Sequence, residues 1–174
     1  MYFYFLETDS NYNFFTNEKD DSFNYIKENL DKKIKITSNN LSSFEEYKKD
    51  FYKTDHHWNN EGSYNGYLEI AKMMNFKKTI EVKNEVCFNN NPSVGSKARS
   101  VGAIKYIEDI MCVYEYEMPD FDIFSNGKLV DEYGTKIDEL MNTEEITYTS
   151  IYGGDPAEII FVNKAEHNKK NLLV

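Results

Sequence analysis

Tyr2-Phe3-Tyr4-Phe5-Leu6 is an unbroken run of large apolar side chains, with the length and composition of a buried strand. Thr8 to Lys19 is polar and reads as a loop. Phe23, Ile26 and Leu30 then fall at helical spacing, so the pattern predicts a helix over Asp20 to Leu30 with Asp21 or Ser22 as its cap. Lys33-Ile34-Lys35-Ile36 alternates as a short strand. Ser43-Phe44-Glu45-Glu46 has the Ser-x-x-Glu spacing of a capping box and opens a short helix toward Asp50. Strand, helix, strand and helix within about fifty residues favour a parallel α/β arrangement, because parallel neighbours need a crossover between them.

Past Trp58, Asn59 or Asn60 can cap a helix running to about Asn75, with Tyr64, Tyr67, Leu68, Ala71 and Met74 on one face. Phe76 to Arg99 shows no period and reads as irregular surface chain, flexible around Ser93-Val94-Gly95-Ser96. From Ile104 the pattern changes. Met111 to Glu117 alternates as a strand, and Phe121 to Phe124 leads into Ser125-Asn126-Gly127-Lys128, an Asn-Gly hairpin turn. Ile146 to Tyr152 and Glu158 to Val162 are further strand candidates. The expected fold class is α/β: a parallel sheet flanked by helices, with a strand-rich antiparallel insertion in the C-terminal half. Within one domain over residues 1–174, we expect an α/β part at 1–76, the insertion at 77–157 and a return to the core sheet at 158–174.

Composition narrows the function classes. The chain has 174 residues, 40% apolar and 16% aromatic, enough to bury a core and to argue against disorder. A net charge of -10 lacks the basic footprint that nucleic-acid binding requires, so no nucleic-acid partner is expected. The Lys, Asn and Tyr bias reads as an AT-rich coding background and carries little functional weight. No stretch approaches the about 20 apolar residues of a membrane span. No signal peptide is recognisable: Met1 leads at once into the aromatic run, with no basic segment before it. Cys87 and Cys112 are too few for a disulfide framework and lack metal-ligand spacing, so two unpaired core thiols are expected rather than one bridge.

One segment reads as a site: Tyr52-Lys53-Thr54-Asp55-His56-His57-Trp58-Asn59-Asn60-Glu61-Gly62. In an Asp-x-His arrangement the carboxylate accepts a hydrogen bond from one imidazole nitrogen, which leaves the other to take a proton from a serine. From the residues alone, two other readings stand beside this one. The His56-His57 pair could bind a metal, although only His167 remains elsewhere in the chain; no metal and no cofactor are expected. The histidines could also be ordinary packed or capping side chains. Trp58, the only tryptophan, could wall the site, stack on a sugar face or pack beneath the loop.

Thr54-Asp55-His56-His57-Trp58, followed by a glycine-containing helix start, resembles the DHHW proteins, which belong with the AlgX/AlgJ-like group of SGNH hydrolase-like domains. The resemblance extends over most of the chain, from the opening strand to Tyr152-Gly153-Gly154-Asp155. It implies Asp55 and His57 as two members of a Ser-His-Asp triad, with His56, Trp58 and Thr54 in supporting positions. It implies an extracytoplasmic, Gram-positive-type cell-envelope protein that moves or removes acyl groups, O-acetyl on a cell-surface polysaccharide, with an acyl donor and the polysaccharide as partners. The alternative is a non-catalytic domain on the same scaffold that binds glycan or an envelope partner.

Two features depart from the group's pattern. Gly153 and Gly154 match a Gly-Gly-Asn stretch whose backbone N–H groups could face a substrate oxygen, but the Asn is Asp155 here, and a plain turn fits equally. The group's serine sits in a Gly-Asp-Ser block after an apolar strand. Asn171-Leu172-Leu173-Val174 resembles that strand, and no Gly-Asp-Ser occurs in the 174 residues. Ser93, Ser96 and Ser150 match neither context. The expectation is therefore a chain truncated before its serine and inactive by itself. A parent locus without Gly-Asp-Ser in the next ten or so codons would overturn it.

Overall fold

The structure is a computed structural model, and it describes residues 1–102, 107–118, 120–131, 134, 136–144, 146–154 and 156–164. The first half runs β1 (Tyr2–Phe5), β2 (Tyr12–Asn13), β3 (Glu18–Lys19), α1 (Ser22–Asn29), β4 (Lys35–Ser38), α2 (Phe44–Asp50) and α3 (Asn60–Met73). The second runs β5 (Val82–Cys87), α4 (Ser96–Ser100), β6 (Cys112–Tyr116), β7 (Phe121–Ser125), β8 (Lys128–Val130), α5 (Ile137–Leu140), α6 (Tyr148–Tyr152) and β9 (Ile159–Asn163). The result is a mixed α/β fold with small parallel and antiparallel sheets.

β1 and β4 pair in parallel, Tyr2 opposite Lys35 and Phe5 opposite Ser38, with α1 as the crossover. Phe23 of α1 rests on Phe5, ring centroids 6.0 Å apart, which is the helical face that the spacing of Phe23, Ile26 and Leu30 predicts. Ser43 caps α2 by accepting from Glu46 N–H, while Glu46 turns back to the backbone and hydroxyl of Ser42. The polar Thr8–Lys19 segment is not all loop, since β2 and β3 form a two-residue antiparallel ladder. Buried Glu7 ties this region down: its carboxylate accepts from Leu41 N–H at 2.7 Å and pairs with Lys19 at 2.6 Å.

Two cores meet at the Phe51-Tyr52 dipeptide. Phe51 joins Tyr12, Leu41 and Tyr47, while Tyr52 joins Phe88, Met111, Leu140 and Ile146. Extended backbone sends neighbouring side chains to opposite sides, so this one step anchors the following loop in both halves of the fold. Burial of these aromatic and aliphatic side chains, each worth about 1.5–3 kcal/mol, fixes where the loop begins.

Several expectations are corrected. The Phe76–Arg99 stretch holds β5 and α4, and Ser93 is buried. β5 pairs with β6 antiparallel, which sets Cys87 opposite Cys112, and the two form a disulfide rather than remaining free thiols. With β5 unrecognised, nothing in the sequence made the cysteines neighbours. The bridge closes a separation of 25 residues, so replacing both cysteines by Ala is expected to cost about 3 kcal/mol in urea unfolding, through the greater freedom of the unfolded chain. Equal midpoints for the two proteins would refute that.

Ile146 to Tyr152 is not a strand. Tyr148–Tyr152 is the short helix α6, opened by a Thr147/Ser150 capping box that outweighs the strand propensity of its Ile and Tyr residues. Ile159–Asn163 does not return to the β1–β4 sheet but pairs antiparallel with β7. Leu172-Leu173-Val174 and His167 lie outside the described residues. The Asn126-Gly127 hairpin stands as expected, both residues at positive φ (50° and 74°), the geometry of a two-residue turn that suits twisted strands. Among the described residues, no helix is long and apolar enough to cross a membrane.

Candidate functional site

The segment 51–58 is a closed loop. Phe51 and Trp58 form an antiparallel bridge, Tyr52 N–H donates to His57 O at 3.2 Å, and Asn59 N–H donates to Asp50 O at 2.9 Å. Asn59 also caps α3, its side-chain oxygen accepting from Gly62 N–H while its amide donates to Lys49 O. The two helices touch here through glycine: a Cβ on Gly62 would lie 2.1 Å from Asp50 O, and one on Gly66 would lie 2.4 Å from the Trp58 ring. Trp58 therefore packs on α3 beneath the loop and does not line the histidine cleft.

Beneath the loop on its other side sits Asp109, a buried carboxylate. It accepts from Lys53 N–H at 3.0 Å, Thr54 N–H at 2.8 Å and the Thr54 hydroxyl at 2.5 Å. The Thr54 hydroxyl in turn accepts from Gly95 N–H at 2.8 Å. Asp109 is itself fixed by a backbone bridge to Ser93. Thr54 is thus a supporting residue, holding the loop to the second half of the chain.

The loop presents Asp55 and His57 to one side. Asp55 Oδ1 accepts from His57 Nδ1 at 2.5 Å and from His57 N–H at 3.1 Å, while Oδ2 accepts from Ser96 N–H, the first residue of α4, at 2.8 Å. Burial alone would raise the Asp55 pKa, but these hydrogen bonds from Ser96 and His57 outweigh it and hold the carboxyl down to about 2. An ionised carboxylate only accepts, so Nδ1 of His57 carries the proton of this bond and Nε2 is the nitrogen left to exchange one with a nucleophile. A Cβ on Gly95 would lie 2.5 Å from Asp55 Cβ and 2.6 Å from Oδ2; only glycine lets the chain approach this carboxylate.

His56 is turned differently. Its Nδ1 lies 2.9 Å from Ser96 Oγ and 3.4 Å from Asp55 Oδ1. Both neighbours approach the same ring nitrogen, whereas a proton relay needs nucleophile and orienter on different ones, so Ser96, His56 and Asp55 do not form a triad. Ser93 is buried and Ser150 is engaged in the α6 capping box. Asp55, His56 and His57 could each offer one atom to a metal ion. The 2.5 Å approach of His57 to Asp55 is that of a hydrogen bond, closer than the about 3.3 Å between ligands of one tetrahedral ion.

The pair opens on a cleft of about 440 Å³ between the loop, the Ser93–Ser96 strap and the start of α6. Tyr148 lies flat against the His57 ring, centroids 3.8 Å apart and planes at 10°. Burial pushes the hydroxyl of Tyr52, which lines the cleft, well above the usual tyrosine range. Gly153 is the left-handed residue ending α6, and its N–H donates to Thr149 O at 2.8 Å. That donor is spent inside the helix end, so the turn reading holds for Gly153 and it offers no oxyanion N–H. Gly154 is left-handed too, at φ 82°, and Asp155 lies outside the described residues.

Of the residues singled out in the sequence, the structure brings Asp55, His57 and Thr54 together in one loop. Sequence reasoning missed Tyr148, Asp109 and the Gly95-Ser96 strap, which only the tertiary fold brings to the loop.

No protein-family model matches the sequence, and no curated relative does either. Among solved structures, PatB1 of Bacillus cereus carrying a sulfonyl adduct is similar at 20% identity and a TM-score of 0.66, over 93% of this chain and 59% of that one. A second PatB1 structure gives 19% identity and a TM-score of 0.65, over 94% and 62%. The chain therefore spans about six-tenths of the protein it matches, and it shares that protein's fold.

Proposed function

We propose that the chain is an SGNH hydrolase-like domain of the DHHW type, supplying the acid–base half of a serine esterase or O-acyltransferase. The observation that carries this reading is the Asp55–His57 pair: a short bond to Nδ1, an ionised carboxylate, and Nε2 left for proton transfer beside an open cleft. His57 would take the proton of an attacking serine and return it to the leaving group, while Asp55 holds the tautomer and balances the imidazolium. The parallel β1–β4 pair and its flanking helices fit the core of an SGNH-like sheet. The serine is proposed to come from sequence outside these 174 residues, which contain no Gly-Asp-Ser.

The likeness to PatB1 supports the reading, as does the sulfonyl adduct in one of those structures, since such adducts form on activated nucleophiles. The proposed substrates are an acyl donor and a cell-surface polysaccharide bearing O-acetyl groups. The Cys87–Cys112 disulfide accords with an oxidising, extracytoplasmic setting. A non-catalytic glycan- or envelope-partner-binding domain is the second reading, favoured by the engagement of Ser93, Ser96 and Ser150 elsewhere.

The deciding experiment measures acetate released from an O-acetylated polysaccharide by the protein that carries this chain and by its His57→Ala variant. Release confined to the parent supports catalysis; equal release by both removes it.

A further inference from the structure

His57 has one strong tether, the bond from Nδ1 to Asp55, and its side chain is 34% exposed. A single hydrogen bond at Nδ1 restrains the ring torsion only within the wide angular tolerance of such a bond. Imidazole torsions are broad and roughly two-fold, so a ring held at one point can swing its far nitrogen out of line. Two rings remove that freedom. His56 lies against His57 with centroids 3.9 Å apart and planes at 37°, and Tyr148 stacks on it at 3.8 Å and 10°.

Of the two, Tyr148 is the anchored one. Its ring packs on the core of Tyr52, Phe88, Met111, Leu140 and Ile146, with Tyr152 one turn on at 4.5 Å. The helix that carries it is pinned by the Thr147 cap at one end and the left-handed Gly153 at the other. His56, by contrast, is 59% exposed.

We infer that Tyr148 is a positioning residue: its face holds the His57 imidazole in the plane that keeps Nδ1 on Asp55 and aims Nε2 into the cleft. The bearing on catalysis rests on the acid–base role proposed above; the stack itself does not. The second half of the chain thereby adds a stacking ring to a site whose acid–base pair comes from residues 55 and 57. The ring face is what acts, so Phe should replace Tyr148 and Leu should not, even though Leu preserves the apolar contact with the core.

Proton and nitrogen spectra of the histidine rings, recorded on the whole chain as wild type, Tyr148→Phe and Tyr148→Leu, test this. In wild type and Tyr148→Phe, the His57 ring protons should be shifted upfield by the stacked ring, and the Nδ1 proton should be visible far downfield in its short bond. In Tyr148→Leu the upfield shift should vanish and the Nδ1 proton should broaden by exchange with water. Unchanged His57 signals in Tyr148→Leu would overturn the inference, as would Phe behaving like Leu. Wild-type ring protons without an upfield shift would overturn it whether or not the Leu variant folds. Failure of the acetate experiment would remove the acid–base role and leave these signals as they are, so the two outcomes are separable.

Discussion

Replacing Asp55 by Asn, in the serine-bearing protein proposed above, is expected to lower kcat for acyl release by about 10⁴ while leaving KM near its starting value, and His57→Ala should cost at least as much. The reason lies in where the two oxygens of Asp55 are held. Oδ2 receives Ser96 N–H at 2.8 Å, and Oδ1 receives His57 N–H at 3.1 Å together with His57 Nδ1 at 2.5 Å. An Asn has only one acceptor oxygen for these two sides. Ser96 N–H can only donate and is the nearer of the two backbone donors, whereas the imidazole can change tautomer, so Ser96 claims the oxygen and the amide NH₂ turns toward Nδ1. The ring must then present its lone pair at Nδ1 and its proton at Nε2, the tautomer that cannot take a proton from serine.

The geometry of the fold survives this change, so unfolding midpoints should move far less than kcat. The same carboxylate sets a pH limit. Its folded-state pKa is depressed to about 2, so the stabilisation it supplies is complete above the ordinary Asp range and is lost as pH falls through about 2. The Asp55–His57 contact should accordingly persist at pH 4. A kcat for Asp55→Asn within tenfold of the parent would refute the assignment of Asp55 as the orienter of His57.

The residues that sequence reasoning reached share one property: their relation is local. Asp55 and His57 stand two apart, so an extended loop already sets them side by side, and Asn59 and Ser43 announce helix starts through chemistry within three residues. What it missed is long-range. Ser96 meets Asp55 across 41 residues and Asp109 meets Thr54 across 55, and neither carries a local signature. Asp109 in Ile107-Glu108-Asp109-Ile110 looks like any solvated acid until the fold buries it. β5, Val-Lys-Asn-Glu-Val-Cys, has only its ends apolar, so period alone did not reveal it, and the disulfide was lost with it. The helix at Tyr148–Tyr152 was misread because β-branched and aromatic residues point to strand, whereas a capping box and a following glycine decide the matter. One signal in Ser93-Val94-Gly95-Ser96 was available: a glycine just ahead of a helix start is a place where another chain segment can approach closely.

Asp109→Ala is the substitution expected to damage the fold most. One carboxylate, 6% exposed, accepts three of the bonds that pin Lys53 and Thr54, and Thr54 is itself 1% exposed. Deleting it leaves the buried Thr54 N–H and hydroxyl without their acceptor, each at about 1–3 kcal/mol, frees the part-buried Lys53 N–H, and removes bonds strengthened by the acceptor's charge. These losses share one neighbourhood and do not simply add, so a total of about 3–5 kcal/mol in urea unfolding is expected. Asp109→Asn keeps the shape but turns one acceptor into a donor, and should fall between the parent and Ala.

The consequence for the site follows from the chain of contacts. Thr54, once released from Asp109, no longer holds Gly95 at its hydroxyl, and Gly95 is what brings Ser96 N–H to Asp55. Destabilisation and loss of the Asp55–His57 geometry should therefore appear together in Asp109→Ala, whereas Asp55→Asn should separate them. If Asp109→Ala lost less than about 1 kcal/mol, the motif loop would have to be held by the packing of Phe51 and Tyr52 and by its remaining backbone bonds, Tyr52 to His57 and Ala98 to Thr54.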